Sequence, residues 1–159
     1  MIQGLTQGEV VVIGIGNPLR GDDAAGSLVA RRMAAMPGVH VIDAQEVPEN
    51  YLPLVIERQP DTVVLIDCVE LGSPPGAIAL LDASQIAEYW PTTHRLPLSL
   101  LMSVLEQGTH ARIFAIGIQP SHTEFMEPMT EAVAASVERL AGMLQRDLVG
   151  SFRGGEVSA

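Results

Sequence analysis

The sequence predicts a single α/β layered domain with a twisted, mostly parallel (mixed) sheet flanked by helices on both faces. Short β-branched runs alternate with segments of helical apolar spacing, the pattern of layered α/β folds. The strand runs are apolar without interruption, as in strands covered on both sides. The chain has 159 residues, 47% of them hydrophobic, and a domain of this size buries about 70% of its unfolded surface in one core.

Residues 9–15, EVVVIGI, form the first strand and run into the turn-rich loop GNPLRGDD. Apolar spacing over residues 24–36 predicts a helix, with Asp22 placed to cap it and Pro37-Gly38 to end it. Residues 39–42 read as a strand, 51–57 as a short helix after the turn PEN, and 62–67, TVVLID, as a second buried strand. Beyond the loop LGSPPG, residues 77–81 form a strand, and the short connection from 67 to 77 permits it to run antiparallel. Residues 97–106 predict a helix with proline at its start, 113–118 a last strand, and 129–146 a long amphipathic helix. The stretch 150–159 lacks a periodic apolar face and is expected to be a flexible tail, leaving 1–149 as the domain.

Nineteen acidic against nine basic side chains give a formal charge of −10, which opposes nucleic acid and anionic membranes and favours cations or basic peptide segments. No run approaches the roughly 20 apolar residues of a membrane span. The opening MIQGLTQGEVVVIG lacks a basic n-region and a cleavage site, and Cys68 is the only cysteine; a reducing, cytoplasmic location is expected.

Ligand sites in open α/β sheets gather beyond the C-terminal strand ends. Three polar stretches reach that edge: the loop 14–23, Asp67 closing TVVLID, and Thr92-Thr93-His94 ahead of a helix. Asp67 directly follows a buried strand and needs a partner to offset its desolvation. Asp22 is expected to act as a cap, and Asp23 has the same modest alternative at a helix start. His94 gains significance from its convergence with the acids. Two carboxylates and an imidazole suit a borderline divalent cation such as nickel or zinc, without choosing between them.

Rival chemistries fit less well. The G-x-G after the first strand, with Asp43 after the next, resembles a dinucleotide fingerprint, but Leu19 replaces the third glycine and Asp22 and Asp23 repel a pyrophosphate. A Cys68–His94 nucleophile pair is opposed by strand alternation: if Asp67 faces the site, Cys68 faces the opposite side as a buried thiol. His40 and His110 are expected as solvated loop positions, and His122 as an accessory residue on the correct edge.

The motifs GIGN at 14–17 with GDD at 21–23, PEN at 48–50, IDC at 66–68, TTH at 92–94 and GIQP at 117–120 together resemble the hydrogenase maturation protease family, over nearly the whole chain to about residue 146. The resemblance implies an endopeptidase of aspartyl type that removes the C-terminal extension of a nickel-iron hydrogenase large-subunit precursor once nickel has been inserted. It carries the metal-contacting positions onto Asp23, Asp67 and His94, with Asp23 or Asp67 as catalytic carboxylates. Gly16, Asn17 and Thr93, in the same motifs, are expected to contact the substrate. Nickel comes with the substrate's metal centre, and a monomer is implied. A nickel-dependent binding module that holds the immature subunit without cutting it fits the same motifs.

Overall fold

The computed structural model describes residues 2–89 and 96–157, with side chains described as far as Val149. Its core is a five-stranded sheet of order β2-β1-β3-β5-β4, made of β1 (Val10–Ile15), β2 (Val39–Gln45), β3 (Thr62–Cys68), β4 (Ile78–Leu81) and β5 (Arg112–Ile118). β1 pairs in parallel with β2 and β3, β3 in parallel with β5, and β4 antiparallel with β5. The mixed sheet is as expected. The strand allowed to reverse does so, although β5 lies between it and β3.

Alternation along the strands divides the core in two. Val10, Val12, Val64, Ile66, Phe114 and Ile116 face one side, where α1 (Ala25–Arg32) and α5 (Glu131–Val157) cover them through Val29, Val137, Leu140 and Leu144. Val11, Ile13, Val63, Leu65 and Ala115 face the other, under α2 (Leu52–Arg58), the single turn α3 (Ala83–Ile86) and α4 (Leu98–Gly108). No described helix is long and apolar enough to cross a membrane.

Several boundaries differ from expectation for local reasons. α1 stops at Arg32, short of Pro37, because Met33 turns extended and packs into the core while Met36 bridges to Val39. β2 runs on to Gln45, since β1 offers it partners as far as Ile15. α3 was not foreseen; Asp82 and Gln85 close a reciprocal capping box at its start. The backbone of α5 stays helical from Glu131 to Val157, through most of the stretch read as a tail, because no proline after Pro128 interrupts its hydrogen bonds.

Glycines set how closely α1 approaches the sheet. A Cβ on Gly26 would overlap the carbonyl oxygens of Ile15 and Ile66, and one on Gly14 would overlap the Gly26 carbonyl oxygen and lie 2.6 Å from the Ala30 Cβ. The helix therefore rests almost directly on β1 and β3. Its N-terminal approach is thereby fixed over the C-terminal ends of those strands.

Candidate active site

β1 ends at Ile15, and Gly16 donates its N–H to the Gln45 carbonyl oxygen at 2.8 Å, which keeps β1 and β2 joined at the edge. A Cβ on Gly16 would overlap the Asp23 carbonyl oxygen, so glycine is what lets the returning chain close over the strand end. Asn17 shapes the intervening turn: its Oδ1 accepts from Leu19 N at 2.8 Å and its carbonyl from Arg20 N at 3.1 Å. The chain then enters a 3-10 turn, Gly21–Ala24, which carries both acids and packs against β3.

The two neighbouring acids have different surroundings. Asp22, fully buried, accepts from Ser121 N (2.8 Å) and His122 N (3.2 Å) through Oδ2 and from Thr130 N (2.7 Å) through Oδ1, with Thr130 Oγ1 3.0 Å from both oxygens. It is not the helix cap expected of it. Ala24 holds the N-cap position of α1 and no side chain caps it; the 3-10 turn displaces Asp22 from that position, and its carboxylate instead fastens the loop after β1 to the loop after β5.

Asp23, also fully buried, accepts from Asn17 N at 3.1 Å through Oδ2. Asp67, 8% exposed, is the last residue but one of β3 and accepts from Cys68 N at 2.7 Å through Oδ1. Both acids thus stand at the C-terminal edge, one on the 3-10 turn that packs on β3 and one on β3 itself. A carboxylate has about four lone-pair directions, and a group of this kind can in general bind a cation or take a proton.

Asp67 follows Val63 and Leu65 in register, and Cys68 follows Val64 and Ile66 on the opposite face. Cys68 is buried, the position expected of a structural thiol. His94 and Thr93, the remaining expected ligand and substrate contact, lie outside the described residues. Among the described residues no three His, Cys, Asp or Glu side chains gather as a metal-binding group.

The other polar candidates separate clearly. Asp43, considered for a ribose, accepts from Ser27 Oγ and Arg31 Nε, both at 2.6 Å, and so ties β2 to α1. His40 is corrected from a loop position to a place in β2 opposite Val11, where Nε2 lies 3.0 Å from Glu9 Oε1 and 2.8 Å from Arg58 Nη2. His110 is an exposed loop residue. His122 packs against Gly21, and its Nδ1 is buried without a hydrogen-bond partner among the described residues, as is Glu49 Oε2 in the turn after β2.

Gln119 is read from the sequence only as part of the motif GIQP, without a role of its own. Its Oε1 accepts from Leu71 N (2.6 Å) and Ser73 N (3.3 Å), while Nε2 donates to Glu70 Oε1 (2.7 Å) and the Pro120 carbonyl oxygen (3.0 Å). It thereby orders the loop after Asp67. The signal was available: Gln119 is a polar residue directly after the buried strand β5, as Asp67 is a polar residue at the end of β3.

Comparison with known proteins assigns the chain to a family. The sequence model described as HycI, hydrogenase maturation protease, matches residues 25–147. The chain belongs to the hydrogenase maturation proteases. It is 36% identical over 138 residues to the hydrogenase 3 maturation protease of Escherichia coli K12, covering 85% of this chain and 88% of that one. The crystal structure of a NiFe hydrogenase maturation protease HycI from Thermococcus kodakarensis KOD1 superimposes with a TM-score of 0.80 at 34% identity, over 88% of this chain and 92% of that one. The solution structure of the endopeptidase HycI from Escherichia coli gives 0.79 at 34% identity, over 87% and 90%. As a member of this family the chain is a peptidase, and the carboxylates at its sheet edge belong to a hydrolase.

Proposed function

We propose that this maturation protease removes the C-terminal extension of a nickel-iron hydrogenase large-subunit precursor after nickel insertion, and that the nickel of the substrate is what it recognises. The observation that carries the proposal is the pair of buried acids, Asp23 and Asp67, on two elements held at one sheet edge by glycine packing. Their chemistry fits the assignment. Carboxylate oxygens are donors suited to a borderline divalent cation such as nickel; the imidazole of His94, assigned by its motif alone, would add a third donor, and a nickel-bearing substrate would be oriented by them.

The chain's own groups then supply the proton transfers. A carboxylate, Asp23 or Asp67, accepts a proton from the attacking water as oxygen adds to the scissile carbonyl carbon. The proton passes to the amine nitrogen as the C–N bond breaks. Burial of both acids restricts bulk water, so the attacking molecule must enter with the substrate in place. Gly16 and Asn17 are assigned as substrate contacts, and Thr93 is added to them on its motif alone. The formal charge of −10 favours a cationic or basic partner over nucleic acid or an anionic membrane. We assign the protein to the cytoplasm as a monomer.

The test is mass spectrometry of a nickel-loaded large-subunit precursor incubated with the protein, beside nickel-free precursor and an Asp23→Asn variant. Loss of one defined C-terminal peptide, only with nickel and only with unaltered protein, is the expected result. A cognate, loaded precursor that binds and stays intact would make the protein a nickel-dependent binding module instead.

A further inference from the structure

Beside the acids, the loops after β1 and β5 expose large apolar side chains: Leu19 is 55% exposed, Phe125 59% and Met126 70%. Isolated apolar residues are ordinary on protein surfaces, whereas contiguous ones rimmed by polar groups mark contact sites. These three are neighbours through the backbone, because Met126 N donates to the Leu19 carbonyl oxygen at 2.7 Å. Met126 has φ of 65°, a left-handed conformation unfavourable for a side chain of this kind. The turn at Phe125 and Met126 is thus held in an unfavourable geometry while both side chains stand in solvent.

Hydrogen bonds connect the patch to the loop that carries the acids. The Asp22 carboxylate joins the two loops, and Asp22 N in turn donates to the His122 carbonyl oxygen at 3.0 Å. Asp23 is the next residue. Exposed Glu124 and Glu127 flank the apolar pair and give the patch an acidic rim.

We infer that Leu19, Phe125 and Met126 form a docking surface for the precursor segment beside the scissile bond, and that this segment presents an apolar side chain accompanied by lysine or arginine. The inference rests on the proteolytic function proposed above. Continuity with Asp23 places the docked segment next to the chemistry, and the acidic rim selects its charge. The anchored side chain adds contact to the precursor without touching the reacting atoms, so the patch sets how tightly the precursor binds.

The experiment measures cleavage kinetics and the direct Kd of nickel-loaded precursor with unaltered protein, Leu19→Ser/Phe125→Ser, and Glu124→Gln/Glu127→Gln. Circular dichroism and light scattering check the fold and the assembly state of each. For the apolar pair, KM and Kd are expected to rise about tenfold or more, with kcat changed less than about twofold. For the acidic pair, Kd is expected to lose much of its salt dependence.

Cleavage by unaltered protein together with unchanged KM and Kd in the apolar variant would overturn the docking surface and leave proteolysis standing. Binding without cleavage by unaltered protein would end the proteolytic function, and the patch would then stand or fall on Kd alone. Failure of unaltered protein both to bind and to cut would overturn both. A dimer of the unaltered protein that dissociates in the apolar variant would make the patch a contact between copies of this chain, and the inference would fail.

Discussion

Replacing Asp22 by alanine removes one acceptor that serves Ser121 N, His122 N, Thr130 N and Thr130 Oγ1 together. The hydroxyl can rotate toward other acceptors, but the three backbone N–H groups cannot. A buried donor left without a partner costs about 1–3 kcal/mol, and these are partly buried, so roughly 1–1.5 kcal/mol each is appropriate. The sum is about 3–5 kcal/mol, a large share of the roughly 5–15 kcal/mol that stabilises a domain. At roughly 2–4 °C per kcal/mol the melting temperature falls by about 6–20 °C. Asp22→Asn retains one carbonyl oxygen but turns an NH2 group toward the remaining donors, and is expected to lose about half as much. Urea unfolding of the three proteins measures this directly, with equal m-values confirming a comparable transition. A loss below about 1 kcal/mol in Asp22→Ala would show that the two loops are held together by other means, and the fastening role given to Asp22 would be wrong.

Gly26→Ala places a methyl group against the carbonyl oxygens of Ile15 and Ile66, both backbone atoms that cannot yield without moving a strand. It should destabilise by about 3 kcal/mol and lower precursor cleavage as α1 lifts from β3; unchanged urea unfolding would contradict the close approach. Asp147 provides a pH test: burial raises its carboxyl, but the hydrogen bond from Ile2 N at 3.0 Å and the charge of Arg146 help bring the net value below the ordinary 3.8. A lowered folded value means that the stabilisation is present above 3.8 and is lost as pH falls through the folded value. Urea midpoints of the unaltered protein should therefore exceed those of Asp147→Asn at neutral pH and converge with them below about pH 3.8, whereas a gap independent of pH would refute the linkage.

The strands were legible because burial on two faces leaves a simple mark. VVVIGI and TVVLID are apolar at both alternations, the mark of strands covered on both faces. Asp67 stood out for the same reason, as a charge at the end of such a run. Gln119 ends an equivalent run but carries no charge, so its position attracted less notice than its hydrogen bonds warrant. Asp22 was misjudged because local spacing offers a cap, whereas its partners lie about a hundred residues away and only the tertiary fold brings them near. The early end of α1 has a related cause: Met33 fits the helical pattern, yet the core takes its side chain from an extended backbone. His94 and Thr93 lie outside the described residues, so the expected third ligand rests on its motif.

The span between Asp22 and Thr130, 108 positions, bears on the order in which the molecule can assemble. Parallel strands joined by long crossovers already imply distant pairings and slow folding. Here a carboxylate near the amino end must wait for donors that emerge only after all five strands have been synthesised. A nascent or truncated chain lacking residues 121–130 would have to bury that carboxylate without them or keep the loop after β1 away from the sheet. Either way Asp23, the carboxylate proposed above for proton transfer, would lack its final setting, and on that proposal a growing chain gains activity only once the last crossover is complete.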